Sequence, residues 1–166
     1  FALLMKTSPD KLRYMGKTEI FNWSLATDST QIEWHRDASG RLVGVSDSPT
    51  GRIAIAFNCN GGSLHTQVRI KPWFPPTALL NYEVHSIVVD DAKFPLDEVT
   101  AGFDSVSGEI TFDALTPPTA LSELASAKQV GYSLNFEHSP GEYRRSLYLE
   151  GLGTELSEMA LSCPGP

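Results

Sequence analysis

The segment 52–71 constrains this chain more than any other. Arg52-Ile53-Ala54-Ile55-Ala56-Phe57-Asn58-Cys59 runs into Asn60-Gly61-Gly62, and residues 63–71 run back. Asn-Gly supplies the positive φ angles of a tight hairpin turn. The returning strand alternates cleanly. Leu64, Thr66, Val68 and Ile70 fall on one face, and His65, Gln67, Arg69 and Lys71 on the other, so the strand is half-buried. On the outgoing strand Ile53, Ile55, Phe57 and Cys59 share a face by the period of two. Such large apolar side chains send that face into a core, and a core needs a second layer to close it.

The rest of the chain has the same rhythm, with turn signals roughly every 8–14 residues. Further strands are predicted over 20–25, 31–34, 42–45, 80–89, 109–112, 129–136 and 143–149. Asp37-Ala38-Ser39-Gly40 makes the turn between the second and third of these. Thr116 as N-cap with Pro117 at the first helical position opens a short helix, whose apolar stripe is Leu121, Leu124 and Ala125. A final helix runs to about residue 161. The predicted fold is mainly β: an antiparallel β-sandwich with two short helices. Residues 1–17 read as an N-terminal leader or extension, and 18–166 as one domain, a length that suits a single core.

The chain holds two cysteines, Cys59 and Cys163, 104 positions apart. Leu152, Leu156, Met159 and Cys163 fall at i, i+4, i+7 and i+11, one stripe of the last helix. Each cysteine thus lies on the apolar face of its element. A helix docked on the sheet would join them as a disulfide and fasten the C-terminal helix there. The alternative is a pair of buried, reduced thiols. A disulfide implies an oxidising compartment, hence a periplasmic or secreted protein, or one anchored through a segment upstream of Phe1.

Charge narrows the partners. Thirteen Lys+Arg stand against twenty Asp+Glu, a net charge of -7. Non-specific nucleic-acid binding needs a basic surface, and the densest basic spot is Arg144-Arg145, so no nucleic-acid partner is expected. No apolar run reaches the length of a membrane span.

Catalytic and cofactor motifs do not assemble. The four histidines, His35, His65, His85 and His138, read as solvent-facing, and none stands at metal-ligand spacing from another. Gly44-Val45-Ser46-Asp47-Ser48 resembles a nucleophile elbow, but its second glycine is Ser48 and a β-rich chain offers no strand-to-helix turn there. No catalytic residue and no cofactor are assigned. Asp90 and Asp91, with Asp97 and Glu98 nearby, are the weak candidates for a cation or a carboxylate pair; solvated acidic loops are the plainer reading. Asn22-Trp23-Ser24 matches a glycosylation acceptor on an apolar strand. The strongest binding candidate is Pro72-Trp73-Phe74-Pro75-Pro76. Prolines hold Trp73 and Phe74 at low ordering entropy, which suits an interface. The alternative is that both rings fold back over the open end of the sandwich.

The order of elements from residue 52 to 163 carries a resemblance. A cysteine near a strand end precedes a polar, alternating strand and a strand around Tyr82-Glu83-Val84. A helix ending Ala125-Ser126-Ala127-Lys128 and a strand over 130–136 follow. An apolar strand then runs into Leu149-Glu150-Gly151-Leu152, and a short helix ends in Cys163. This order resembles secreted proteobacterial β-sandwich proteins of the invasion-associated locus B type, and is similar to the related accessory proteins of type VI secretion systems. Trp23 matches an early tryptophan of that pattern. The stretch 92–115 and the Pro-rich loop depart from it. The resemblance implies an exported envelope protein with a disulfide and no catalytic residues to carry over. The expected function is a non-enzymatic, exported binding or assembly module of a bacterial cell envelope or secretion system, with a protein partner in the envelope. The alternatives are a small-ligand-binding β-barrel or sandwich, and a hydrolase using the Asp90/Asp91 region with a histidine.

Overall fold

A computed structural model describes residues 31–163 apart from Pro49, Ser139, Glu150 and Gly151. The strand predicted over 20–25, Trp23, the Asn22 acceptor and the boundary after residue 17 lie outside the described residues.

The described chain is mainly β, in two antiparallel sheets. Strands β1 (Gln31–Arg36), β2 (Leu42–Ser48), β3 (Gly51–Asn60) and β4 (Ser63–Pro72) form consecutive hairpins. The chain then crosses to the second sheet for β5 (Val84–Val89) and β6 (Ala92–Pro95), returns for β7 (Thr100–Asp104) and β8 (Glu109–Leu115), and crosses again for β9 (Gln129–Asn135) and β10 (Glu142–Tyr148). The sheet orders are β1-β2-β3-β4-β8-β7 and β10-β9-β5-β6. Helix α1 (Pro118–Leu124) makes the second crossing, and α2 (Gly153–Ser162) follows β10. The period-two faces meet as read. Ile53, Ile55, Phe57, Val68 and Ile70 pack with Ile87, Val130, Tyr132, Leu134 and Leu147 in one core. Each such side chain, fully buried, contributes about 1.5–3 kcal/mol.

Several local expectations are corrected. The positive φ angles of the β3–β4 turn sit at Gly61 (60°) and Gly62 (84°), while Asn60 stays in the strand opposite Ser63. Residues 80–89 are not one strand. Pro75 and Pro76 preset the backbone for a 3-10 helix, Pro76–Asn81, which buries Leu79, and β5 begins only at Val84. The stretch 92–115 holds three strands rather than one, because β6 and β7 are edge strands with little buried face to betray them. Thr116 does not cap α1, since Pro117 occupies that position. Its hydroxyl instead lies 2.7 Å from that of Thr66, and its N–H donates to the Leu64 carbonyl at 2.8 Å.

The cysteines are bonded, with Cα atoms 5.6 Å apart. Their burial differs. Cys163 is buried, whereas Cys59 is exposed, because the tip of the β3–β4 hairpin runs past the covered part of its face. The bridge and the hairpin tip mark one end of the six-stranded sheet. The other end, where Gly51 pairs with Pro72, lies roughly 30 Å away at about 3.3 Å per residue along β3.

Candidate partner-binding surface

That second end is built from aromatic rings. β4 stops at Pro72, because prolines at 72, 75 and 76 deny further ladder donors. The loop turns Phe74 inward and Trp73 outward. Phe74 meets the buried Tyr143 edge-to-face at 6.0 Å, and Trp73 meets Phe74 edge-to-face at 5.8 Å. Trp73 itself remains 63% exposed. Tyr82 and Phe136 stack nearby at 4.4 Å. The two sequence candidates therefore separate: Phe74 is an anchor on the core, and Trp73 presents an indole to solvent on a rigid base. Burial pushes the Tyr143 hydroxyl up to about 12, against the Arg145 charge, which acts the other way, with Tyr82 adding to the rise.

Beneath this loop lies a group that sequence reasoning missed. Arg145 is only 8% exposed. Its guanidinium donates to the Ser48 hydroxyl at 2.7 Å, to the Gly51 carbonyl at 3.3 Å, and to the Thr50 hydroxyl. It reaches from the edge strand of one sheet to the β2–β3 turn of the other and ties the sandwich shut. No carboxylate pairs with it among the described residues. The signal was present, since Tyr143, Arg145 and Leu147 alternate on β10 and the outer two are apolar. In the sequence Arg144 and Arg145 stand together as the densest basic spot, which masks the inward place of Arg145. Trp34 laces the same side: its indole N–H donates to the Tyr148 carbonyl at 2.9 Å.

The remaining candidates are dispersed. Asp90 stands at φ 52° in the two-residue turn between β5 and β6, a conformation that aspartate tolerates. One carboxylate oxygen accepts from the Lys128 and Gln129 backbone N–H groups, both at 3.0 Å, so it holds the turn against β9. Asp91 is almost fully exposed, 3.8 Å from Arg144. No group of three or more His, Cys, Asp or Glu side chains poised for a metal occurs among the described residues. His35 and His138 are exposed, and His65 lies 3.7 Å from Asp113. His85 is a correction. It follows the inward face of β5 with Ile87 and Val89, its ring 4.9 Å from Phe112 of the opposite sheet.

No helix among the described residues is long and apolar enough to cross a membrane. No family model and no solved structure matches the chain. Over 83 residues, 49% of the chain, it is 34% identical to a protein of Listeria monocytogenes named as a probable transcriptional regulatory protein. It is 32% identical over the same length to a protein of Listeria innocua with the same description. The chain spans about a third of the length of these curated relatives, 34% in each case. Relatives named for transcriptional regulation overturn the expected exported module of an envelope or secretion system.

Proposed function

We propose that this β-sandwich is a regulatory interaction module that works by holding a protein partner at Trp73. The observation that carries the reading is the exposed indole on a rigid base of Phe74 and Tyr143. Large, low-entropy aromatic anchors in a desolvated setting supply most of the energy at protein interfaces. The relatives named as probable transcriptional regulatory proteins support the regulatory part of the reading. The net charge of -7 favours an effect exerted through a protein rather than by direct contact with phosphates. No catalytic step is assigned to the module.

The test places a photo-crosslinking residue at the exposed position of Lys71, beside an intact Trp73, and identifies the captured protein. That protein is then purified and titrated against the wild-type chain and Trp73→Ala. The variant should lose at least about 2 kcal/mol of binding, as an interface anchor does, with its melting temperature essentially unchanged. Undiminished binding, or a large stability loss in Trp73→Ala, overturns the reading. So does tight, steeply salt-dependent binding of duplex DNA by the wild-type chain.

A further inference from the structure

The outward face of the six-stranded sheet holds a recess of about 280 Å³, made by residues of β1–β4 and β8, none of them from the aromatic end. Its floor is small and apolar: Val43, Val45 and Ala54. Its wall is polar, with Arg52 and Arg69 on one side and His35, Asp37 and Glu109 around them. Arg52 and Arg69 sit diagonally on neighbouring strands, since Arg52 pairs with Lys71 and Ala54 with Arg69. Diagonal positions place Cβ atoms about 7–8 Å apart, within reach of one shared ligand group for long side chains.

These cations are poorly matched inside the protein. Arg69 and Lys71 enter no ion pair or hydrogen bond among the described residues. Arg52 has Asp47 at 3.8 Å, both side chains exposed, which is a weak pairing. Arg52 and Lys71 stand directly opposite one another, and like charges so placed are destabilising. The acids on the rim do not relieve this. Asp37 is bound to Arg41 at 2.7 Å and accepts from two backbone N–H groups, while Glu109 makes no ion pair among the described residues. A chain of net charge -7 has thus placed two arginines, Arg52 and Arg69, beside an apolar floor.

We propose that this recess binds a small organic carboxylate. The apolar body lies on Val43, Val45 and Ala54, and the carboxylate lies between the Arg52 and Arg69 guanidinium groups. A guanidinium presents a planar fork that matches a carboxylate with two parallel hydrogen bonds. The volume lies at the lower limit of small-molecule pockets, which selects a compact ligand.

The test titrates the 15N-labelled chain with benzoate, with inorganic phosphate and benzyl alcohol as separate arms. Benzoate should give saturable shifts at the Val45, Ala54 and Arg69 amides. Benzyl alcohol should bind more weakly for lack of charge, and phosphate for lack of an apolar body. Arg69→Gln should weaken benzoate by about tenfold, the loss of one charge-assisted pairing. Arg69→Lys keeps the charge without the fork and should fall between. Both are half-exposed surface changes, and unchanged amide spectra away from the recess would confirm that they fold. The proposal is overturned by absence of saturable shifts at these amides, by benzyl alcohol or phosphate binding as well as benzoate, or by undiminished binding in Arg69→Gln.

Discussion

The Nδ1 atom of His85 lies 2.8 Å from the Tyr132 hydroxyl, a polar contact held between the two sheets of an apolar core. Burial holds the imidazole below its ordinary value of 6.5, against a smaller opposing effect of the Tyr82 backbone. Burial also pushes the Tyr132 hydroxyl far above the usual tyrosine range, so that the phenol stays neutral. The unfolded chain therefore takes up a proton near pH 6.5 that the folded chain refuses until lower pH. This contribution to stability is complete above pH 6.5 and is lost as pH falls below it. Melting temperature measured across that range should decline on the acid side. His85→Gln should flatten the step between pH 6.5 and the carboxylate range.

The Cys59–Cys163 bridge should leave no free thiol in the denatured, unreduced protein, and two after reduction. Cys163→Ser should lower the unfolding free energy in urea by as much as about 4.7 kcal/mol, the chain-entropy limit for a loop of about 100 residues.

Arg145 should prove costly to truncate. Arg145→Ala abandons the Ser48 and Thr50 hydroxyls and the Gly51 carbonyl. Hydrogen bonds to charged groups are worth about 1.5–3 kcal/mol, so a loss of about 3 kcal/mol in chemical denaturation is expected. Arg145→Met fills the space without bringing a charge to bury and should lose less. Equal losses would mean that the charge itself is what the site needs.

Gly44 faces Trp34 across the β1–β2 pair, and a Cβ at Gly44 would meet the indole at 2.6 Å. Gly44→Ala should displace the ring and break its bond to the Tyr148 carbonyl. Overpacking of this kind costs about 1–3 kcal/mol. A red-shifted tryptophan emission together with a lowered denaturation midpoint would report both effects.

Legibility in the sequence followed burial. Ile53, Ile55 and Phe57 lie on one fully buried face, and so the hairpin and the sandwich could be read from a period of two, while the bridge needed the helical stripe that ends in the buried Cys163 as well. β7 is exposed along its whole length, so no such period marks it. Leu79 belongs to a six-residue 3-10 helix opened by prolines, too short for a helical stripe. Arg145 and His85 are polar residues on inward faces, where the contact that makes burial tolerable comes from the opposite sheet for Arg145 and from the neighbouring strand β9 for His85, and has no trace in the local pattern. Trp73 and Phe74 were legible as a pair. Which ring faced out depended on Tyr143, 69 positions from Phe74 and one sheet away.

The chain from Cys59 to Cys163 lays down seven of the ten described strands and both helices. Cys163 ends the last helix, so the covalent ring can close only after nearly everything it encircles has been made. During synthesis the bridge therefore cannot act as a guide for pairing strands. It works as a latch, set on a sandwich whose hydrophobic pattern has already chosen its partners.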